Sequence, residues 1–222
     1  MIIGNGMLAN SLKPFDEENI VVFASGVSNS LETKDSEFDR EIQLLRSTVE
    51  KFPNKKLIYF STCSIYDLSK VESPYVMHKL KVEEIISKIC PHYTIFRVGN
   101  AVGSGGNPNT LINFLENSIR NGQVISLHNN ARRVLIGVDD IAKLVSQNLK
   151  SFDNKIVNVV YPHQFQLIEV VSTLEKHLQL KAKYDLVDEG SAYNMEFDEI
   201  MKSYFQGISP EEYLQKLYTT YL

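Results

Sequence analysis

Thr62, Tyr75 and Lys79 have the side-chain types and spacing for proton transfer. Tyr75 and Lys79 are four residues apart, so a helix would set them one turn from each other on one face. A phenol has a reference pKa near ~10 and is a poor acid or base at neutral pH. A neighbouring ammonium stabilises the phenolate and draws that pKa toward the working range. A hydroxyl facing the pair, as Thr62 would, can hold the substrate oxygen that gains or loses the proton.

The elements that must position them are legible around the stretch Lys56–Glu84. Leu57 to Ser61 reads as a buried strand, followed by the polar turn Thr62-Cys63-Ser64. After a loop, Ser73-Pro74 opens a helix that ends at Cys90-Pro91. At the start of the chain, Met1 to Ile3 is a minimal strand. Gly4-Asn5-Gly6-Met7-Leu8-Ala9 then fits Gly-x-Gly-x-x-Ala and opens a helix to about Pro14. Such glycines let backbone approach a pyrophosphate, although a tight turn into an amphipathic helix needs no ligand. The strand before and the helix after are the context the motif requires. Ile20 to Ala24 is a wholly apolar strand, and small residues after it, Ala24-Ser25-Gly26, leave room for a ligand at the sheet edge. Asp35 to Phe52 is predicted helical, with an apolar stripe of Phe38, Ile42, Leu45, Val49 and Phe52 and its charged residues in solvent. With Leu57–Ser61 it forms a strand–helix–strand unit, for which a right-handed crossover is expected.

The phrases YFSTCSIYD and SPYVMHKLKVEEII resemble signatures of the extended branch of the short-chain dehydrogenase/reductase superfamily, the nucleotide-sugar epimerases, dehydratases and 4-keto-sugar reductases. The resemblance implies an α/β fold, a reduced Rossmann-like doubly wound parallel sheet with a small C-terminal α+β substrate lobe. The chain would be a single domain, 1–222, with a cofactor part at 1–99 and 134–160 and a substrate part at 100–133 and 161–222. The implied cofactor is NAD or NADP, held by Gly4, Gly6, Met7, Leu8, Ala24, Ser25, Gly26, Ser61, Tyr75 and Lys79. Tyr75 would be the acid/base, Lys79 its pKa partner and ribose ligand, and Thr62 the hydrogen bond to the reacting oxygen.

Substrate contacts implied by the resemblance are Cys63, Ser64, Asn100, Arg132 and Arg133. Arg97-Val98-Gly99-Asn100-Ala101-Val102-Gly103 is similar to the family's Arg-x-x-Asn-x-x-Gly, whose Asn touches sugar or pyrophosphate; a turn Asn bonding its own backbone reads as well. An Arg before the strand Val134–Val138 clamps diphosphate in the family, and Arg133, with Arg132 beside it, fits that place; two surface arginines in a turn are the other reading. The implied activity is NAD(P)-dependent chemistry on a nucleotide-activated sugar, as in polysaccharide biosynthesis, with a 4-keto-sugar reductase favoured over an epimerase. A dehydratase needs a carboxylic acid where Cys63-Ser64 stand. The chain departs from the family between its first helix and Ile20. Two strands and a helix are missing there, including the strand whose end selects NAD or NADP. The interval Tyr66–Tyr75 is also short, which points to a more open site. These losses leave a second class of reading, a degenerate protein that binds a nucleotide sugar or a partner enzyme without catalysis. Dimerisation through the Tyr-bearing helix is a habit of the family.

Composition sets the outer bounds. The 222 residues are 43% hydrophobic and 23% charged with a formal net charge of -4, which disfavours a general nucleic-acid binder. No apolar run approaches the ~18 residues of a membrane span, and MIIGNGMLANS lacks a signal peptide's basic start. Cys63 and Cys90 show no pairing framework, so a reducing cytoplasm is expected. His78, His92, His128, His163 and His177 are scattered without metal spacing, and His78 reads as helix surface. Further helices are expected at Leu111–Asn121 with Thr110 as cap, at Ile141–Leu149 with Asp139 and Asp140 as cap and first-turn charge, at Leu167–Leu178, and at Glu211–Tyr221 behind the start signal Ser209-Pro210. Further strands are expected at Ile156–Val160 and Lys181–Val187, and Ser104–Asn109 is a loop.

Overall fold

The computed structural model describes residues 1–105 and 107–222; Gly106, inside the predicted loop Ser104–Asn109, lies outside the described residues. In chain order the strands are β1 (Ile2–Ile3), β2 (Ile20–Phe23), β3 (Lys56–Thr62), β4 (Tyr93–Val98), β5 (Asn100–Val102), β6 (Val124–His128), β7 (Arg132–Arg133), β8 (Leu135–Gly137), β9 (Lys155–Val159), β10 (Phe165–Gln166) and β11 (Lys183–Val187). The helices are α1 (Met7–Leu12), α2 (Asp35–Lys51), α3 (Pro74–Ile89), α4 (Leu111–Arg120), α5 (Val138–Asn148), α6 (Leu167–Leu178), α7 (Glu199–Tyr204) and α8 (Pro210–Tyr221).

Five parallel strands form the central sheet, in the order β1-β2-β3-β4-β9. This is an α/β, Rossmann-like sheet with helices on both faces. Strands buried on both sides must be apolar throughout, and β2 reads Ile-Val-Val-Phe with every residue buried. Alternate residues of β2 and β3 serve different layers. Val22, Ile20, Ile58 and Phe60 join Leu12 of α1, Ile141 of α5 and Leu217 of α8 in one cluster. Val21, Phe23, Leu57 and Tyr59 join Leu45 of α2 and Ile86 of α3 in the other. Each fully buried Leu or Ile contributes roughly 1.5–3 kcal/mol by leaving water, before entropy is counted.

The chain steps from β1 to β2 to β3 in one direction across the sheet, with α1 packed on one face and α2 on the other. Two crossovers that step the same way on opposite faces have opposite hands. One of them therefore departs from the right-handed rule. The cause is the short connection after α1: a single turn of 3-10 helix, Lys13–Phe15, leads to β2, and among the described residues no strand lies beyond β1.

Most predicted elements agree with those observed to within a residue or two. Ser73 and Ser209 cap α3 and α8 as their sequences require, the latter in a capping box with Glu212. Thr110 precedes α4 but its side chain makes no cap bond, and Gly137, not Asp139, stands at the cap of α5. Strands β5, β6, β7 and β10 and helix α7 were not anticipated; they are two to six residues long and carry too little periodicity to register.

Candidate active site

A cleft of about 460 Å³ opens outside the carboxyl ends of β1 to β4. Ligands bind at that edge in open α/β sheets. Gly6, Met7 and Leu8 line it from the first turn, and Ala24, Ser25 and Gly26 from the end of β2. Ser61, Thr62 and Ser64 line it from the end of β3, Tyr75 and Lys79 from α3, and Asn100 from β5. Four parallel strands ending at one level bring together residues as far apart in sequence as Asn5 and Val98.

The glycine turn is shaped by two different demands. Gly4 has φ +130°, and a Cβ there would fall 2.3 Å from the Ala24 carbonyl oxygen, so the protein's own packing requires glycine. Gly6 has an ordinary φ of -76°. A Cβ on Gly6 would meet no protein atom within 4 Å. Nothing in the fold asks for a glycine there; the open space belongs to the cleft. Ser61 adds a second unfilled demand. Its Oγ is buried and has no hydrogen-bond partner among the described residues, an arrangement that costs free energy unless a ligand or water supplies the partner.

Thr62 and Tyr75 are both buried at the cleft, and the Thr62 hydroxyl faces the phenol. Burial raises the Tyr75 phenol above its ordinary value, and the hydrogen bond with Thr62 only partly opposes this. The expected mechanism, an ammonium drawing the phenol toward neutrality, is not what the geometry gives. Lys79 Nζ lies 5.9 Å from the Tyr75 ring centre and is bound instead to Glu41 Oε1 at 3.1 Å and to the Tyr59 hydroxyl at 2.9 Å. Glu41, predicted to be solvated, is fully enclosed, and His78, predicted on the helix surface, is buried with Nε2 2.9 Å from Glu41 Oε2. The signal was present: Phe38, Glu41, Leu45 and Thr48 recur at three and four, the buried stripe of α2.

Three of the predicted substrate contacts stand elsewhere. Cys63 is buried below the cleft, with its thiol on the Arg97 carbonyl at 3.1 Å, because the 3-10 turn Cys63–Tyr66 points it inward. Among the described residues Arg132 bonds only backbone carbonyls, at 3.4 Å. Arg133 is held 3.5 Å from buried Asp67, which also accepts from Ser69 and Ser191. Both arginines lie on β7, which pairs with β10, and neither lines the cleft. Asn100 lines the cleft while its Nδ2 donates to the Val134 carbonyl at 3.0 Å, a bond across strands and not to its own backbone. Tyr193 also lines the cleft, clamped by two bonds between its backbone and Gln164. It comes from an irregular segment, where no periodicity marks it. Asp140, expected as a first-turn charge, is buried and binds Tyr213 and Lys216. Among the described residues no His, Cys, Asp and Glu side chains cluster as metal ligands, and no helix is long and apolar enough to cross a membrane.

Comparison with known proteins gives the same architecture. The chain superposes on a dTDP-glucose 4,6-dehydratase from Bacillus anthracis in complex with NAD with a TM-score of 0.70 and 20% identity, covering 90% of this chain and 71% of that one. It superposes on a UDP-glucose 4-epimerase with UDP-glucose from Thermotoga maritima with a TM-score of 0.72 and 16% identity, covering 90% and 76%. For RMD from Pseudomonas aeruginosa complexed with NADPH the TM-score is 0.70 at 13% identity, covering 98% and 86%. At these identities the likeness is one of fold. A search of curated proteins finds no match. A model of the NAD dependent epimerase/dehydratase family matches residues 13–161, starting after the glycine turn and taking in Thr62, Tyr75 and Lys79. The match spans more than half of the chain, which therefore belongs to the NAD dependent epimerase/dehydratase family.

Proposed function

We propose that the chain is an NAD(P)-dependent oxidoreductase of a nucleotide-activated sugar, acting in the cytoplasm as a 4-keto-sugar reductase in polysaccharide biosynthesis. One observation carries the reading: a hydroxyl, a phenol and an amine share a cleft with a glycine turn that is open where it need not be. The residues fit a dinucleotide. Gly6 leaves room for a pyrophosphate against the backbone of Met7 and Leu8, and the partnerless Ser61 Oγ offers a hydrogen bond. Ala24, Ser25 and Gly26 supply a smooth wall. A bound nicotinamide supplies the hydride. The chain's part is to hold the sugar carbonyl at the Thr62 hydroxyl and to deliver a proton to its oxygen from Tyr75.

A phenol kept neutral by burial is suited to giving a proton, which is the requirement of reduction. An epimerase, the alternative within this chemistry, must take the proton first. A dehydratase is disfavoured further, because the thiol at Cys63 is enclosed and burial holds it far above neutrality. The cofactor part is assigned to 1–99 and 134–160 and the substrate part to 100–133 and 161–222.

The test is direct. NADH and NADPH are titrated against the full chain by nicotinamide fluorescence, and turnover is then followed with a nucleoside diphosphate 4-keto-hexose. Tyr75→Phe is expected to abolish turnover and leave cofactor binding within about twofold, since general acid–base groups contribute ~10²–10⁴-fold. If neither cofactor binds at millimolar concentration, the oxidoreductase reading fails. The non-catalytic reading, which the open side of β1 favours, then stands.

A further inference from the structure

Beneath the cleft floor three side chains from two elements, with one backbone amide, enclose a single carboxylate. Glu41 of α2, Tyr59 of β3 and His78 and Lys79 of α3 are each at least 95% buried. Glu41 Oε1 accepts from the Tyr59 hydroxyl at 2.6 Å and from Lys79 Nζ at 3.1 Å. Its Oε2 accepts from His78 Nε2 at 2.9 Å and from the Val27 amide at 2.6 Å. An ionised carboxylate only accepts, so His78 carries its proton on Nε2. Tyr59 donates to Glu41 and accepts from Lys79 at 2.9 Å, which closes a triangle. Packing leaves the group no freedom. A Cβ at Gly26 would fall 2.7 Å from both Glu41 Oε1 and Lys79 Nζ, and Phe38 stacks on the His78 ring at 4.5 Å.

An isolated ammonium at the distance of Lys79 from Tyr75 would favour the phenolate. Here its charge is cancelled locally by a carboxylate in direct contact. The other groups facing Tyr75 are the Thr62 hydroxyl and the neutral Cys63 and Tyr193. Beyond Lys79 the next charge is Glu83, itself paired with Arg97 at 2.6 Å.

We propose that Glu41 is a positioning residue: it pairs with the Lys79 ammonium and cancels its field at the phenol, so that Tyr75 meets the substrate as a neutral proton donor, the state that carbonyl reduction requires. The directional part rests on the oxidoreductase reading; the electrostatic part does not, and the experiment separates them. The full chain is labelled with ¹³C at tyrosine Cζ and titrated with pH by NMR, the Tyr75 signal being assigned from Tyr75→Phe. In the unaltered chain Tyr75 stays a phenol through the ordinary value of ~10. Glu41→Gln keeps the shape and removes the charge, and is expected to lower the Tyr75 titration by at least about one pH unit. Glu41→Asp, which keeps the charge, restores the high value. In turnover, the alkaline limb of the pH profile moves with the titration in Glu41→Gln.

A Tyr75 that ionises below ~10 in the unaltered chain overturns the proposal, even if no Glu41 variant folds. So does a folded Glu41→Gln with an unmoved titration. A shifted titration in a protein that binds no nicotinamide cofactor upholds the role of Glu41 and removes the oxidoreductase reading instead.

Discussion

Replacing Gly6 and Gly4 separately distinguishes a turn made for a ligand from a turn made for the fold. At Gly6 the backbone has φ -76° and the added methyl meets no protein atom within 4 Å. Alanine at a compatible position stabilises by ~0.4–1 kcal/mol through the unfolded chain. In a chain of this size that raises the melting temperature by about 1–4 °C. The methyl nevertheless stands in the cleft beside Met7 and Leu8. Displacing a pyrophosphate from its backbone donors there is expected to weaken NADH binding at least tenfold, about 1.4 kcal/mol. Gly4 is the opposite case. Its methyl would lie 2.3 Å from the Ala24 oxygen and 2.7 Å from the Ala24 carbon, at φ +130°. Both are backbone atoms of the β1–β2 pairing, where Ala24 donates to Ile3 at 2.8 Å, so the strands must part. Strain of that kind costs at least ~1–3 kcal/mol before any ladder bond is lost. Differential scanning calorimetry and fluorescence titration read the two effects. A Gly6→Ala protein that is stable and binds NADH like the unaltered chain would refute the assignment of this turn to the cofactor.

Arg97→Ala leaves Glu83 buried without its two bonds at 3.0 and 2.6 Å and is expected to cost ~3–5 kcal/mol in urea melts; a loss under ~1 kcal/mol would show that Glu83 is solvated in the native state. Burial raises the Glu41 carboxyl, but Lys79, His78, Tyr59 and the Val27 amide together hold it below its ordinary value of 4.5. Its folded pKa is the depressed one, so the unfolded chain takes up the proton first, and stability present above 4.5 drains as the pH falls. Glu41→Gln flattens that part of the curve in melts run from neutral to acid pH, and an unchanged slope would contradict the ion pair. The thiol of Cys90 is pushed up to about 11 by burial and that of Cys63 further still, so neither should be alkylated in the native protein at neutral pH, and both should react in denaturant. With no strand beyond β1 among the described residues to present a carboxylate to the adenosine ribose, NADH and NADPH affinities should differ by less than about tenfold in parallel titrations; a larger preference would mean that groups within the cleft read the 2′-phosphate.

Local signals carried the fold. Polar caps at Ser73 and Ser209, the apolar run Ile20–Phe23 and the three-four spacing along α2 each arise within a few residues, and the elements formed where they pointed. The site was legible where a residue's neighbours in sequence fix its direction, as at the ends of β1, β2 and β3. It was illegible where long-range pairing decides. Arg132 and Arg133 are oriented by Phe165 and Gln166 across β7–β10, which no short window contains. Glu41 departs from the solvated face expected of a charged residue because its position on the helix outweighs its charge. On α2 it lies on the Phe38–Leu45 face, and a carboxylate there requires buried donors from elsewhere, which β3 and α3 supply.

The shortened sheet and the buried charges bear on each other. Taking strands from the outer side of β1 removes apolar cover, and Ile2 and Ile3 are only half-buried. The opposite flank, β3 with α2 and α3, holds two enclosed ion pairs, Glu41–Lys79 and Glu83–Arg97, joined to Tyr59, His78 and Tyr66. Buried pairs contribute little net stability over apolar packing, but they admit few alternative arrangements. Tyr75 and Lys79 on α3 thus rest on the flank whose geometry is fixed by polar contacts, while on the proposed reading the adenosine end of a dinucleotide would face β1, beyond which no strand lies among the described residues. On that reading the orientation of the reacting groups is kept by a fold that offers less surface to the cofactor. That division suits a reaction in which placing one proton matters more than gripping the whole cofactor.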